Sequence, residues 1–211
     1  MGGEQPVSDG LAGKTALVTG ASRGIGKAIA FALAARGCDV VLSSRKQDSL
    51  DEVAGEIRHA HPEVKVLPIA AHVGSPEQAQ ACVAATVEAF GGLDVLVNNA
   101  GTNPYYGPMV DIDMVRAEKT VQINQSSILL WTQLAWRASM AERGGTVVNM
   151  ASVGGLATEP GIGYYNVTKA AVLHLTRQFA AELAPKVRVN AIAPGIVRTH
   201  LAKALWEDHE Q

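Results

Sequence analysis

Tyr165 and Lys169 lie four residues apart in the run Tyr165-Asn166-Val167-Thr168-Lys169. That spacing puts both side chains on one face of a helix. A phenol with an ordinary pKa near 10 is a poor proton shuttle at neutral pH. A neighbouring ammonium favours its phenolate form. Bringing the phenol to neutrality takes roughly 4 kcal/mol of differential stabilisation, at about 1.36 kcal/mol per pKa unit. One close positive charge at low effective dielectric, with a hydrogen bond, can supply that. The chemistry that suits such a pair is proton transfer. Taken alone, the same spacing is also ordinary surface packing, so the pair gains meaning from what accompanies it.

A second group lies near the start of the chain, in Thr19-Gly20-Ala21-Ser22-Arg23-Gly24-Ile25-Gly26. Its glycines follow the pattern G-x-x-x-G-x-G, between a strand-like run and a helix-like run. Gly20 would let the chain turn sharply off the strand. Gly24 removes a side chain where backbone must approach a pyrophosphate, and Gly26 would let the helix pack closely on the sheet. A helix starting here offers open N–H groups and its positive dipole end to phosphates. Three glycines alone are equally compatible with a plain strand-to-helix turn, and the strand–loop–helix context favours the dinucleotide reading.

About twenty residues further on, where a ribose 2′-hydroxyl would be held by a carboxylate, the chain reads Leu42-Ser43-Ser44-Arg45-Lys46. No acid stands there. Ser44 and Arg45, with Arg23 from the glycine loop, suit a 2′-phosphate, because guanidinium makes forked, charge-assisted bonds to phosphate oxygens. The expected cofactor is NADP(H) rather than NAD(H), although Arg45 and Lys46 could also be a solvated helix start. An oxidised nicotinamide would add a second cation favouring the Tyr165 phenolate.

These groups need a scaffold, and the pattern of the chain supplies one. Strands are predicted at Thr15–Val18, Asp39–Ser43, Val64–Ile69, Leu93–Asn98, Thr146–Met150 and Val187–Ala193. Between them, helices are predicted at Gly24–Arg36 (closed by Gly37), Gln47–Ala60, from the capping box Ser75-Pro76-Glu77-Gln78 to Phe90, Asp113–Glu142 and Tyr164–Leu183. Six strands with helical crossovers imply an α/β fold: a doubly wound, mostly parallel sheet with helices on both faces. Ligands of such sheets sit beyond the carboxyl ends of the strands.

Composition agrees and excludes some classes. The 211 residues, 47% hydrophobic and 18% charged, suffice for one domain. The net charge of −2, without a basic face, argues against a nucleic-acid partner. No apolar run approaches the roughly 20 residues that span a bilayer. Met1–Gly10 is polar and lacks the apolar core of a secretory signal. Gly2 is not followed by the Ser or Thr a myristoylation motif wants, since Pro6 stands there. Cys38 and Cys82 have no metal or redox spacing and read as reduced apolar residues of a cytoplasmic protein. No metal site is expected.

Taken in order, Thr19–Gly26, Asn98-Asn99-Ala100-Gly101, Asn124, Ser152, Tyr165 with Lys169, and Pro194-Gly195 with Thr199 resemble the short-chain dehydrogenase/reductase family, in its single-domain Rossmann form. The resemblance implies that Tyr165 is the general acid in reduction and the base in oxidation, with Lys169 lowering its pKa and holding the nicotinamide ribose. It implies that Ser152 bonds the substrate oxygen, and that Asn124 holds a water passing protons to Lys169, although a helix-kinking core Asn is the other reading. Gly20, Ser22, Arg23, Gly24, Ile25, Gly26, Ser44 and Arg45 would contact the cofactor. So would Asn99, Ala100 and Gly101 on the adenine-ribose side, and Pro194, Gly195, Ile196 and Thr199 around the carboxamide and phosphates. Members usually form homodimers or homotetramers, here through Asp113–Glu142 and the Tyr165 helix. Ile128, Leu129, Leu130 and Trp131 fit that contact as well as they fit a core.

Two features depart from the family pattern. His72-Val73 replaces the usual Asp-Val, so His72 is read as an adenine-side contact or an inert loop residue. The chain also ends at Gln211, where the family continues with a substrate lid, a helix and a last strand. The domain is therefore expected to span residues 1–211 without that segment, the longer natural chain being the preferred explanation. The pocket, walled by Thr102–Met109 and Val153–Ile162, is expected to be mainly apolar through Tyr105, Tyr106, Pro108, Met109, Leu156 and Ile162. Tyr105 and Tyr106 could instead be loop packing or an oligomer contact. An apolar ketone, aldehyde or secondary alcohol is the expected substrate. A 3-oxoacyl thioester reductase and a catalytically silent NADP(H) binder are the alternatives.

Overall fold

Short runs of β-branched and leucine residues form the centre of the molecule because both faces of each strand are covered. In the computed structural model, which describes residues 10–199, strands β1 (Thr15–Thr19), β2 (Asp39–Ser44), β3 (Val66–Ala70), β4 (Val95–Asn98), β5 (Gly145–Met150) and β6 (Val187–Ile192) form one sheet. Their order is β3-β2-β1-β4-β5-β6, and every pairing is parallel. This is a single α/β domain with a Rossmann-like arrangement. The chain reverses direction across the sheet between β1 and β4, which opens a crevice at their carboxyl ends. The polar start with Gly2 and Pro6, and the region past Thr199 where a lid is expected, lie outside the described residues.

Alternate residues of the strands feed two cores. Ala16, Val18, Val40, Leu42, Val95 and Val97 pack against Ala30 and Ala34 of α1 (Gly24–Ala34) and Leu50, Val53 and Ile57 of α2 (Gln47–Ala60). Leu17, Val41, Leu96 and Val147 face the other way. They meet Cys82 and Val83 of α3 (Pro76–Phe90), Trp131 and Ala135 of the long helix, and Phe179 of α7 (Gly163–Leu183). The period of two within each strand thus gives a two-sided apolar wall.

The long helix differs from the expected uniform one. It runs as α4 (Met114–Val121), α5 (Ser127–Ala135) and α6 (Ala141–Arg143), joined by π turns at Gln122–Ser126 and Trp136–Met140. Each π turn inserts a residue and re-aims a side chain. In the second, Ser139 Oγ accepts from Leu93 N at 2.9 Å and donates to Leu93 O at 3.2 Å. Leu93 is thereby engaged by a side chain, and β4 begins at Val95 rather than Leu93. Other ends shift for similar local reasons. Val64 N bonds the His61 carbonyl, so β3 starts later than Val64. Helix α1 closes at Ala34, with Gly37 N donating to Ala34 O. The Ser75 capping box is only half formed: Ser75 Oγ accepts from Gln78 N at 3.3 Å, while Gln78 Oε1 accepts from His72 N at 2.7 Å.

Candidate active site

The glycine loop is fastened from the neighbouring strand. Thr19, the last residue of β1, accepts through Oγ1 from Asn99 N at 3.0 Å and Ala100 N at 3.1 Å. Asn99 Nδ2 donates back to Thr19 O at 2.9 Å and Gly20 O at 3.2 Å. Gly20 has φ +66°, and a Cβ there would lie 2.9 Å from Asn99 Nδ2. A Cβ on Gly26 would land on the Gly20 carbonyl oxygen and the Asn99 amide. Gly26 is therefore required by closure of the loop on itself, in addition to the helix–sheet packing expected of it. Asn99 braces the loop, its amide protons both committed to backbone carbonyls. Ala100 contributes its N–H to the same clamp.

Helix α1 leaves this loop with Arg23 as an extended N-cap, no side-chain cap and no acid in its first turn. Its leading N–H groups and dipole point into the crevice, where Gly24 would set a Cβ only 3.4 Å from Thr199 Cγ2. These features fit a dinucleotide pyrophosphate. At the end of β2, Ser22 Oγ and Ser44 Oγ are 3.1 Å apart, and the Arg23 and Arg45 side chains are exposed. His72 lies beyond β3. Its Nδ1 accepts from Gly74 N at 3.1 Å, and its Nε2 is 3.3 Å from Lys119 Nζ. Burial, then the Lys119 and Arg45 charges, hold the imidazole pKa below its usual value. Nδ1 is thus engaged within its own loop. Val73 is buried, with its carbonyl taken by Trp131 Nε1 at 3.0 Å.

The reactive end is assembled by β5, α7 and the segment after β6. One cavity of about 120 Å³ is lined by Ser152 and Tyr165 together with Ile25, Pro194, Gly195, Ile196 and Thr199. Ser152 follows β5 in extended conformation, caps the 3₁₀ turn Val153–Gly155, and accepts from Gly154 N at 3.2 Å. Lys169 is 4% exposed. Its Nζ donates to Met150 O at 2.7 Å and sits 5.6 Å from the centre of the Tyr165 ring. Burial pulls the ammonium pKa down to about 8.

Burial raises the Tyr165 pKa above its ordinary value, with only a partial offset from the Ser152 hydrogen bond. The Lys169 ammonium donates to Met150 O and, 5.6 Å from the ring centre, keeps its positive charge near the phenol. Asn124 sits in the core at a π turn, in keeping with its reading as a helix-kinking residue. It is fully buried in the first π turn, with Oδ1 accepting from Thr102 N at 2.8 Å and Nδ2 donating to Thr102 O at 2.9 Å and Thr168 Oγ1 at 3.1 Å. Its amide ties the loop after β4 to α7. Gly101 lies between, its Cβ direction 3.6 Å from Asn124 Oδ1 and 3.7 Å from Lys169 Nζ.

Of the expected pocket residues, Tyr106, Pro108 and Met109 line a second groove and Ile162 the reactive cavity. Tyr105 turns away, its hydroxyl donating to Pro108 O at 2.9 Å and its ring under Arg116. Leu156 is 68% exposed and lines neither space. Asn103, Thr102, Lys119 and Glu159 were not singled out from sequence. Glu159 carried a signal, being the only charged residue between Ser152 and Lys169.

The short chain dehydrogenase family pattern matches residues 14–210. This chain is a short-chain dehydrogenase. Human dehydrogenase/reductase SDR family member 4 is 40% identical over 204 residues, covering 96% of this chain and 73% of that protein. The Caenorhabditis elegans protein of the same name is 36% identical, covering 94% and 76%. Among solved structures, a putative short-chain alcohol dehydrogenase from Sinorhizobium meliloti superposes with a TM-score of 0.90 at 36% identity, covering 97% of this chain and 80% of that one. An NAD+-bound xylitol dehydrogenase gives 0.87 at 30%, covering 94% and 75%. The short-chain dehydrogenase is thus an oxidoreductase of a family that uses NAD(H) or NADP(H) on small molecules. No helix among its described residues is long and apolar enough to cross a membrane.

Proposed function

We propose that this short-chain dehydrogenase uses NADP(H) to interconvert an apolar ketone or aldehyde and its alcohol. The observation that carries the reading is the single cavity shared by Ser152, Tyr165, Ile25 and the Pro194–Thr199 segment. It sets a proton donor and an oxygen-binding hydroxyl beside the residues suited to a nicotinamide. When bound, the nicotinamide supplies the hydride position. Ser152 Oγ–H holds the carbonyl oxygen and stabilises its developing charge. Tyr165 donates its Oη proton to that oxygen in reduction and takes it back in oxidation. Raised by burial, the phenol is well suited to remain the protonated donor. Asn124 acts on this chemistry through position, tying Thr102 of the loop after β4 to Thr168, the neighbour of Lys169 on α7.

The choice of NADP(H) rests on Ser22, Ser44, Arg23 and Arg45. The xylitol dehydrogenase neighbour carries NAD+, so family membership alone does not make that choice. Kinetics with NADPH and NADH on a neutral aryl ketone test it. Wild type is expected to prefer NADPH, and Arg45→Asp to lower the NADPH/NADH ratio of kcat/KM by about 10- to 100-fold, the worth of a charge-assisted phosphate bond. A ratio unmoved by Arg45→Asp would overturn the assignment. We further propose a homodimer or homotetramer, supported by the exposed apolar side chains Met114, Val115 and Leu129 on the long helix and Val167 on α7.

A further inference from the structure

The reactive cavity and the groove lined by Tyr106, Pro108, Met109 and Pro160 meet at a single residue, Glu159. The groove is the larger space, about 530 Å³. Glu159 is half-buried, and among the described residues it forms no ion pair. Every other residue lining either space is uncharged. A half-buried carboxylate so placed keeps part of its hydration and sets one negative charge beside otherwise uncharged walls. In the smaller space it shares the lining with Ser152 and Tyr165.

We propose that Glu159 selects substrates by charge: the preferred carbonyl compound carries an apolar body and a cationic amine that sits against this carboxylate. Anionic carriers, including the phosphate-bearing arms of acyl thioesters, are disfavoured at the same point. The inference deepens the carbonyl-reductase reading and rests on that reading for the chemistry, but not for the binding.

The test uses non-reducible aryl carboxamides of one skeleton, bearing a trimethylammonium group, no charge or a sulfonate. Their dissociation constants are measured by calorimetry on the full chain and expressed relative to the neutral compound. Wild type is expected to bind the cation about tenfold more tightly than the anion, the scale of one partly solvated charge pair. Glu159→Gln should bring that ratio to within about twofold, and Glu159→Lys should invert it, with thermal melting confirming that both variants are folded. A ratio unchanged in Glu159→Gln, or a wild-type preference for the anion, overturns the proposal. NADPH oxidation with the matching neutral ketone is recorded separately. Charge ranking without turnover removes the carbonyl-reductase reading and leaves the selection, whereas turnover with no ranking does the reverse.

Discussion

The two ends of the crevice are built from different materials. At the β1–β2 end, recognition depends on backbone: the glycine loop, the uncapped start of α1 and the Thr19–Asn99 clamp. At the β5–α7 end it depends on side chains whose protonation is set by burial, with Lys169 pulled down and Tyr165 pushed up. Backbone recognition needs room and fixed dihedrals, so it is written as glycine spacing. Side-chain chemistry needs depth and direction, which no spacing encodes. Damage at the first end should therefore cost folding and cofactor affinity together, while loss of the Tyr165 hydroxyl at the second should cost rate alone.

The sharpest separation comes from Tyr165→Phe. Loss of the proton donor should lower kcat by about 10²- to 10⁴-fold, the usual contribution of general acid catalysis. The NADPH dissociation constant, followed by fluorescence titration, should stay within about twofold. If cofactor affinity fell in step with kcat, the two ends would not be separable and the comparison would fail.

Gly26→Ala attacks the other end. Its new Cβ meets the Gly20 carbonyl and the Asn99 amide, both fixed by hydrogen bonds, so neither can yield without opening the clamp. Overpacking of this kind costs roughly 1–3 kcal/mol. Urea unfolding should report that loss, and NADPH affinity should fall with it. Unchanged stability would mean that the loop relaxes freely and that Gly26 serves the helix packing alone.

The contrast also explains what the sequence pattern could reveal. All six strands and their parallel order follow from buried β-branched runs separated by helical stretches, because burial on both faces leaves a continuous apolar run. The π turns do not. Gln122-Ile123-Asn124 contains no helix breaker, and the turn is held by Asn124 reaching Thr102 and Thr168, contacts distant in sequence. The Tyr165–Lys169 spacing correctly put both on one helix, α7. It could not show that Met150 O, rather than the phenol, receives the ammonium. Glu159 was visible as a lone charge in a Gly/Pro-rich loop, but its facing two cavities is a property of the folded loop. Leu156 and Tyr105, expected in the pocket for their apolar character, show the reverse error.

The smallest effect probes the buried cation itself. Lys169 has a folded pKa of about 8 against an ordinary 10.5, so the unfolded chain holds its proton above pH 8 while the folded chain releases it. Stability contributed through this group must then rise with pH from about 8 toward 10.5, because the unfolded state binds more protons. Cys38 and Cys82 act oppositely above pH 9, since burial raises their thiols to about 12 and about 11 from 9.0. The clean window is pH 7.5 to 9. Across it, wild type should gain about 1 kcal/mol of unfolding free energy relative to Lys169→Met, measured by urea titration at each pH. A parallel pH dependence in the two proteins would mean that Lys169 keeps its proton in the fold. Its bond to Met150 O would then hold a charged ammonium at the reactive end, and the contrast drawn here between backbone and titrating side chains would narrow to Tyr165 alone.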